Sequence, residues 1–199
     1  MGALDRLLEH PAVYAAWQAP FAAQKFAPVE RALRDHQIRR VLDVGCGTGT
    51  NAGRFQGIEY VGLDINEKYL AVARSNYGGR FIDADLTTAD LSSLGVFDTI
   101  LVNSFLHHVS DDEVVRILGQ LTSRLAPGGR VHILELVLPE RKSPAWMMAR
   151  LDRGKFARSL SRWQELFVAA FEPVVVEPYV YAGGLWSMIY FQGRVKTCA

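Results

Sequence analysis

Residues 41–50 constrain the fold of this chain more than any other stretch, because a short apolar run ends there in a glycine-rich loop. The run over residues 41–44 indicates a buried strand, and the loop predicts a tight turn into a short helix over about residues 50–55. Glycines let a backbone turn sharply and let a ligand approach it closely. In an open α/β sheet, such a loop at the carboxyl end of a strand is where an adenine-containing cofactor binds. The three glycines are Gly45, Gly47 and Gly49.

An acidic residue downstream supports this interpretation. Asp64 lies nineteen residues after Gly45, at the end of the next apolar run over residues 60–63. A carboxylate there can accept hydrogen bonds from both hydroxyls of a ribose. The loop itself departs from the dinucleotide fingerprint G-x-G-x-x-G, because its spacing is G-x-G-x-G with Asp43 two residues before the first glycine.

Five motifs in order over about residues 38–138 resemble those of the class I S-adenosylmethionine-dependent methyltransferases. The motifs are the glycine loop, Gly62-Leu-Asp-Ile-Asn66, Phe81-Ile-Asp-Ala-Asp-Leu86, the run from Phe97 to Val109, and the run from Leu125 to Glu135. The resemblance implies S-adenosylmethionine as the cofactor. It also implies a Rossmann-like, doubly wound α/β fold with a mostly parallel seven-stranded sheet, a reversed last strand and N-terminal lid helices.

The same resemblance implies which residues bind the cofactor. Asp43 would orient the loop or contact the methionine end, and Asp64 would bind the ribose. Asp85 is favoured over Asp83 for the adenine side, although Asp83 stays open. Asn103 either faces the amino-acid end of the cofactor or only caps its strand. The full predicted set is Tyr14, Asp43, Gly45, Cys46, Gly47, Gly49, Asp64, Ile65, Asp85, Leu86 and Asn103.

Two histidines are the candidate catalytic residues. His107 and His108 follow the fourth predicted strand, at the sheet edge where ligands bind. A histidine there can act as a general base, because its ordinary pKa lies near neutral pH. The alternative is that one histidine is packed and hydrogen-bonded while the other begins a loop. No metal site is predicted, since no third ligand stands at a recognised spacing.

Aromatic residues outside the motifs are expected to line the acceptor pocket, because small-molecule pockets have mostly apolar walls. Tyr14 and Trp17 lie three apart on one face of the N-terminal helical region, and the resemblance implies that this region covers the active site. The predicted substrate-binding residues are Trp17, Phe105, Trp146 and Tyr179. A basic stretch over residues 150–162 is either a solvated face or a site for a carboxylate or phosphate of the substrate.

The chain reads as one domain, residues 1–199, in three parts. Residues 1–37 form a helical lid that prolines divide, residues 38–138 the cofactor-binding core, and residues 139–199 a substrate-side insert and a C-terminal hairpin. Strands are predicted at about residues 40–44, 59–64, 80–83, 99–103, 130–138, 174–181 and 186–195, and helices at about 67–76, 110–125 and 161–171. Alternating strands and helices favour a parallel sheet covered on both faces.

Composition narrows the function classes. A formal net charge of +1 gives no global sign of nucleic-acid binding. No run approaches the roughly 18 apolar residues of a membrane helix, and no basic run precedes an apolar stretch at the N-terminus, so neither a membrane span nor a secretory signal is predicted. Two cysteines, Cys46 and Cys198, suggest no disulfide framework and favour a cytoplasmic protein. The C-terminal hairpin could supply a homodimer interface.

These observations predict a cytoplasmic enzyme that transfers a methyl group from S-adenosylmethionine to a small organic acceptor, by O- or N-methylation. The main alternative is a non-methylating protein that binds the same cofactor as a sensor, a scaffold or a cyclase-type enzyme. A nicotinamide oxidoreductase shares the fold logic but is disfavoured by the glycine spacing and by the single-domain length.

Overall fold

Seven strands form one sheet at the centre of the protein, in a computed structural model that describes residues 21–34, 36–152 and 154–196. The strands are β1 (Arg40–Val44), β2 (Glu59–Asp64), β3 (Arg80–Asp83), β4 (Phe97–Asn103), β5 (Leu125–Leu136), β6 (Glu172–Tyr181) and β7 (Trp186–Arg194). Their order across the sheet is β3-β2-β1-β4-β5-β7-β6, and only β7 runs antiparallel to its neighbours. The predicted α/β fold with a reversed last strand is confirmed.

Helices cover both faces of the sheet. The α-helices of the described residues are α1 (Ala22–Leu33), α2 (Glu67–Asn76), α3 (Asp111–Thr122), α4 (Pro144–Leu151) and α5 (Leu160–Ala170). Side chains along β1 alternate, so Val41 joins the apolar cluster under α1, α2 and α4, while Leu42 and Val44 join the one under α3 and α5. Among these described helices, none has the length and apolarity needed to cross a membrane.

Local sequence signals set the helix starts. The side chain of Asn66 accepts hydrogen bonds from the second and third amides of α2. At α3, the carboxylate of Glu113 accepts the amide of Ser110 at 2.7 Å, as the capping-box sequence Ser110-x-x-Glu113 dictates. The side chain of Ser159 caps α5 by accepting the amide of Arg162 at 3.2 Å.

Some predicted boundaries were wrong. The helix predicted after the glycine loop is only a 3-10 turn, Ala52–Arg54. Strand β5 begins at Leu125 rather than at about residue 130, because the chain pairs with Phe97 as soon as α3 ends and then bulges before its regular register. No helix was predicted between residues 139 and 160, where the structure has α4.

The N-terminal region is only partly described. Tyr14 and Trp17 lie outside the described residues, as do the first two of the three prolines that were expected to divide this region. The third, Pro28, lies inside α1 rather than at a break. Phe26, Pro28 and Val29 are all buried, and packing of this apolar face outweighs the hydrogen bond that proline removes.

The core under α5 contains a cluster of packed aromatic rings. Phe167 is fully buried, with ring centroids 5.3 Å from Trp163 and 5.2 Å from Phe191 on β7. Trp163 in turn donates its indole N–H to the carbonyl of Leu136 at 2.8 Å. These contacts fix α5 against the reversed strand.

We expect Phe167→Ala to lower the free energy of unfolding by about 3–5 kcal/mol, because it leaves a cavity in this aromatic cluster. Val168→Ala on the same helix is the matched control. Val168 is 41% exposed, so its truncation should change stability by less than about 0.5 kcal/mol. Urea unfolding of both variants provides the measurement, and equal losses would contradict the packing described here.

Candidate active site

The glycine loop of residues 45–49 leaves the carboxyl end of β1. The amide of Gly45 donates to the carbonyl of Leu63 on β2 at 2.8 Å. Gly45 and Gly47 have φ values of +72° and +55°, where side chains are strained. A Cβ on Gly45 would lie 2.8 Å from the Cβ of Phe105, whereas a Cβ on Gly47 would meet no heavy atom within 4 Å. The loop is therefore packed at its start and open at its middle, where a ligand can approach the backbone.

Cys46 and Gly49 shape this loop by packing. The thiol of Cys46 is buried beside Gly62, and burial raises its pKa above the ordinary value, so it is protonated and unreactive. A Cβ on Gly49 would lie 2.8 Å from the Cβ of Ala73 on α2. Any contact of Cys46 with a cofactor is thereby left to its main chain.

Asp64 ends β2 and holds the open part of the loop. Its Oδ2 accepts the amide of Gly47 and its Oδ1 accepts the amide of Asn66, both at 2.8 Å. Burial raises the pKa of Asp64, and the backbone hydrogen bonds oppose that rise. A carboxylate offers about four lone-pair positions, so acceptor capacity remains for the hydroxyls of a ribose.

Asp43 and Asn103 lie on the same face of the neighbouring strands β1 and β4. Oδ2 of Asp43 accepts the hydroxyl of Tyr60 and the side-chain amide of Asn51, the latter at 3.0 Å. Oδ1 of Asp43 and Oδ1 of Asn103 are buried and have no hydrogen-bond partner among the described residues. Burial raises the pKa of Asp43 to about 6, although both hydrogen bonds oppose the rise. Two buried acceptors therefore lack a donor among the described residues, and a bound ligand can supply one.

The adenine-side candidates follow β2 and β3. Ile65 is 66% exposed, as an apolar residue facing a ligand would be, whereas the side chain of Leu86 is packed in the core. Asp83 is exposed at the end of β3. Asp85 accepts the hydroxyl and the amide of Thr87, at 2.7 and 2.9 Å, and these bonds lower its pKa.

His107 is held between two carboxylates. Its Nδ1 is 2.7 Å from Oε2 of Glu135, and its Nε2 is 3.1 Å from Oδ2 of Asp152. Burial by itself lowers the pKa of His107, but the charge of Glu135 and the bond to Asp152 outweigh it and raise the pKa to about 9. His107 also keeps the pKa of both acids low, against their burial. Both ring nitrogens are engaged, so His107 is a protonated bridge here rather than a free base.

His108 completes a cluster at this point. It is exposed, and its ring centroid lies 4.3 Å from that of His107. One ligand-capable atom each from His107, His108 and Asp152 lie within 4.8 Å of one another. The sequence offered no third ligand for the histidines, because Asp152 is 44 residues farther along the chain; the structure supplies it.

Three charged residues near this cluster were missed by the sequence interpretation. Glu135 lies in the fifth of the motifs described above, and the one sequence signal for its role is that it is a charged residue within an apolar strand. Asp152 and Lys25 gave none. Lys25 on α1 is buried, which lowers its pKa to about 8 against the opposing charges of Glu135 and Asp152.

The predicted substrate-side aromatics have different placements. Phe105 is half-buried against the glycine loop, and its amide donates to Glu135 at 2.8 Å. Trp146 on α4 is half-buried beneath the guanidinium of Arg150. Tyr179 on β6 donates its hydroxyl to the carbonyl of Lys25 at 2.7 Å and so fixes α1 over the sheet.

Within the basic stretch, Arg158 fits neither predicted role. It is 6% exposed and donates to Asp111 at 2.6 Å, to the carbonyl of Leu106 at 3.1 Å and to the carbonyl of Val109 at 2.7 Å. These bonds clamp both ends of the turn that carries the two histidines. Arg162 pairs with the same Asp111 at 2.6 Å.

Comparison with known proteins supports the inference from the motifs. Residues 41–129 match a family described as a methyltransferase domain. An uncharacterized methyltransferase of Mycobacterium tuberculosis is 35% identical over 130 residues, which are 62% of this chain and 64% of that protein. The demethylmenaquinone methyltransferase of Thermus thermophilus is 34% identical over 111 residues, which are 52% of this chain and 50% of that protein. The chain thus spans less than two thirds of the length of these relatives.

The fold agrees with this family. A TehB-like S-adenosylmethionine-dependent methyltransferase of Corynebacterium glutamicum superposes with a TM-score of 0.65 at 17% identity, covering 94% of this chain and 99% of that one. This structural likeness concerns the fold alone. The segment that matches the methyltransferase domain by sequence, residues 41–129, includes the glycine loop and the residues that follow β2, β3 and β4. Over residues 41–129 the chain is therefore similar to a methyltransferase domain, and its fold is that of S-adenosylmethionine-dependent methyltransferases.

Proposed function

We propose that this protein transfers a methyl group from S-adenosylmethionine to an oxygen or nitrogen of a small organic acceptor. The observation that carries the proposal is a pair of buried oxygens without a partner in the described part of the chain, Asp43 Oδ1 and Asn103 Oδ1, at the strand ends behind the glycine loop. A buried acceptor without a donor is costly. The ammonium group at the methionine end of the cofactor is a donor that suits both oxygens.

Other residues fit the remaining parts of the cofactor. Asp64 has acceptor capacity for the ribose hydroxyls, and Ile65 offers an exposed apolar surface beside it for the base. The open side of Gly47 lets the ligand lie against the backbone. When bound, the cofactor supplies a methyl carbon that its sulfonium makes electrophilic. The protein then contributes mainly by positioning the two reactants, which accounts for much of the rate of such displacements.

The acceptor side lies at the ends of β4 and β5. A net charge of +1 favours a small acceptor over a nucleic acid. A hydroxyl acceptor must lose a proton, whereas an amine that binds neutral needs no base. Because both nitrogens of His107 are engaged, His108 remains the predicted histidine for this role, and the buried Lys25 is a second candidate because its pKa is lowered to about 8.

Methyl transfer is tested by incubating the protein with S-adenosylmethionine labelled at the methyl group and a panel of small phenols, alcohols and amines. We expect label in one acceptor class together with release of S-adenosylhomocysteine. Binding of the cofactor without transfer to any acceptor would instead favour the non-methylating alternative. Binding of NAD in a parallel titration would contradict both.

We expect Asp64→Asn to weaken the binding of S-adenosylhomocysteine by about 10–100-fold, because hydrogen bonds to a charged group are worth about 1.5–3 kcal/mol. Asp112→Asn, an exposed acid on α3, is the control and should leave affinity unchanged. Calorimetric titration measures both. Equal affinity in the two variants would remove Asp64 from the cofactor site.

Affinity for S-adenosylhomocysteine should also depend on pH through Asp43. Burial raises the pKa of Asp43 to about 6, and the ligand ammonium favours the ionised carboxylate. Binding should therefore be constant above about pH 7 and weaken as pH falls through 6, approaching about tenfold per pH unit. In Asp43→Asn this part of the slope should disappear. Identical slopes in both proteins between pH 5 and about 7.5 would contradict the contact.

A further inference from the structure

The turn after β4 and the end of α4 bring together three metal-ligating side chains. His107 and His108 lie on the short turn Leu106–His108, and Asp152 directly follows the last residue of α4. One ligand-capable atom from each lies within 4.8 Å of the others. Nε2 of His107 and Oδ2 of Asp152 are 3.1 Å apart, close to the roughly 3.3 Å between ligands of a tetrahedral zinc ion with bonds of about 2.0–2.1 Å.

The chemistry of this set favours a divalent transition metal. Two imidazoles and one carboxylate are ligands that zinc accepts, and magnesium or calcium would favour a set made only of oxygens. Three protein ligands leave a coordination position open, which distinguishes catalytic zinc sites from closed structural ones.

Glu135 stands where a metal-bound histidine needs an outer partner. Its Oε2 is 2.7 Å from Nδ1 of His107, and its Oε1 accepts the amides of Phe105 and Leu106 at 2.8 and 2.6 Å. Ligating histidines almost always donate their second nitrogen to such a group. When Nδ1–H of His107 donates to Glu135, Nε2 points at Asp152. A metal ion bound between Nε2 and Asp152 would replace the proton on Nε2, which is released to solvent.

The loop after α4 holds this arrangement in place. The amide of Phe156 donates to the carbonyl of His107 at 3.0 Å, and the amide of Gly154 donates to Oδ2 of Asp152 at 2.9 Å. A Cβ on Gly154 would overlap the ring of His107, so only glycine permits this approach. Because Arg158 also holds the turn through the carbonyls of Leu106 and Val109, the three ligands are preorganised without a bound ion.

From this geometry we infer that His107, His108 and Asp152 bind one divalent transition-metal ion, and zinc is the metal that this ligand set suits. Glu135 is a positioning residue that orients His107. The turn that carries the site continues from Phe105, which packs on the glycine loop, so a bound ion would lie at the same edge of the sheet as the proposed cofactor site. There the ion would bind and acidify an acceptor hydroxyl in place of a histidine base, because a ligated His108 cannot accept a proton; this role, unlike the site itself, rests on the proposed function.

The test is calorimetric titration of the chelator-treated, untagged 199-residue chain with zinc chloride, in the absence of cofactor. We expect one equivalent bound with micromolar or tighter affinity. His108→Asn and Asp152→Asn should each weaken binding by at least about tenfold. The control is His36→Asn, which removes an exposed histidine elsewhere and should not alter affinity. Visible absorption of the cobalt(II)-substituted protein should change in the two site variants and not in the control.

Absence of zinc binding by the unaltered protein would overturn the inference, as would equal affinity in the site variants and the control. His108 is exposed, so its replacement should leave the fold intact, and circular dichroism checks this. Titration with S-adenosylhomocysteine is recorded separately on every protein. If the unaltered protein binds zinc but not S-adenosylhomocysteine, the proposed function alone is overturned. If it binds S-adenosylhomocysteine but not zinc, the metal site alone is overturned.

Discussion

The buried carboxylate of Glu135 connects the segments that form one half of the active-site edge. One oxygen receives two amides of the turn after β4, and the other pairs with His107, which continues to Asp152 at the end of α4. Burying a carboxylate is costly unless its partners are all in place. Here the partners come mainly from the turn after β4, and His107 is itself held by Asp152 at the end of α4, so these segments must adopt their positions together.

The sheet separates the site into two halves with different chemistry. At β1 and β2, the glycine loop leaves backbone open to a ligand and the carboxylate of Asp64 keeps acceptor capacity, while Asp43 has a buried acceptor behind them; under the proposed function these groups bind the cofactor. At β4 and β5, titratable side chains are paired with one another. Phe105 touches both halves, since its ring packs on Gly45 and its amide bonds to Glu135. A displacement of the turn after β4 would therefore disturb the loop as well.

The sequence predicted the elements whose signals are local. Residues 40–44, 59–64, 67–76 and 80–83 carry apolar runs, caps and glycines, and the structure has these elements at the same bounds. The bulged start of β5 was missed because its pairing with Phe97 is a tertiary contact. The same reason applies to the site. Asp152 and Lys25 reach the cluster only through the packing of α4 and α1, and no pattern within either segment marks them.

The charged cluster also changes what kind of acceptor the pocket suits. The aromatic residues of the sequence suggested an apolar pocket with few polar groups, yet His107, Glu135, Asp152 and Lys25 are all partly or fully buried at this edge. Charged groups in a low-dielectric setting act strongly on a neighbouring polar atom and gain nothing from an apolar one. Under the proposed function, the atom that accepts the methyl group lies at the ends of β4 and β5. The apolar body of the acceptor then packs against Trp146 and its neighbours. This separation of charged and apolar walls would orient the acceptor before methyl transfer, because only its polar end can bind the charged side chains.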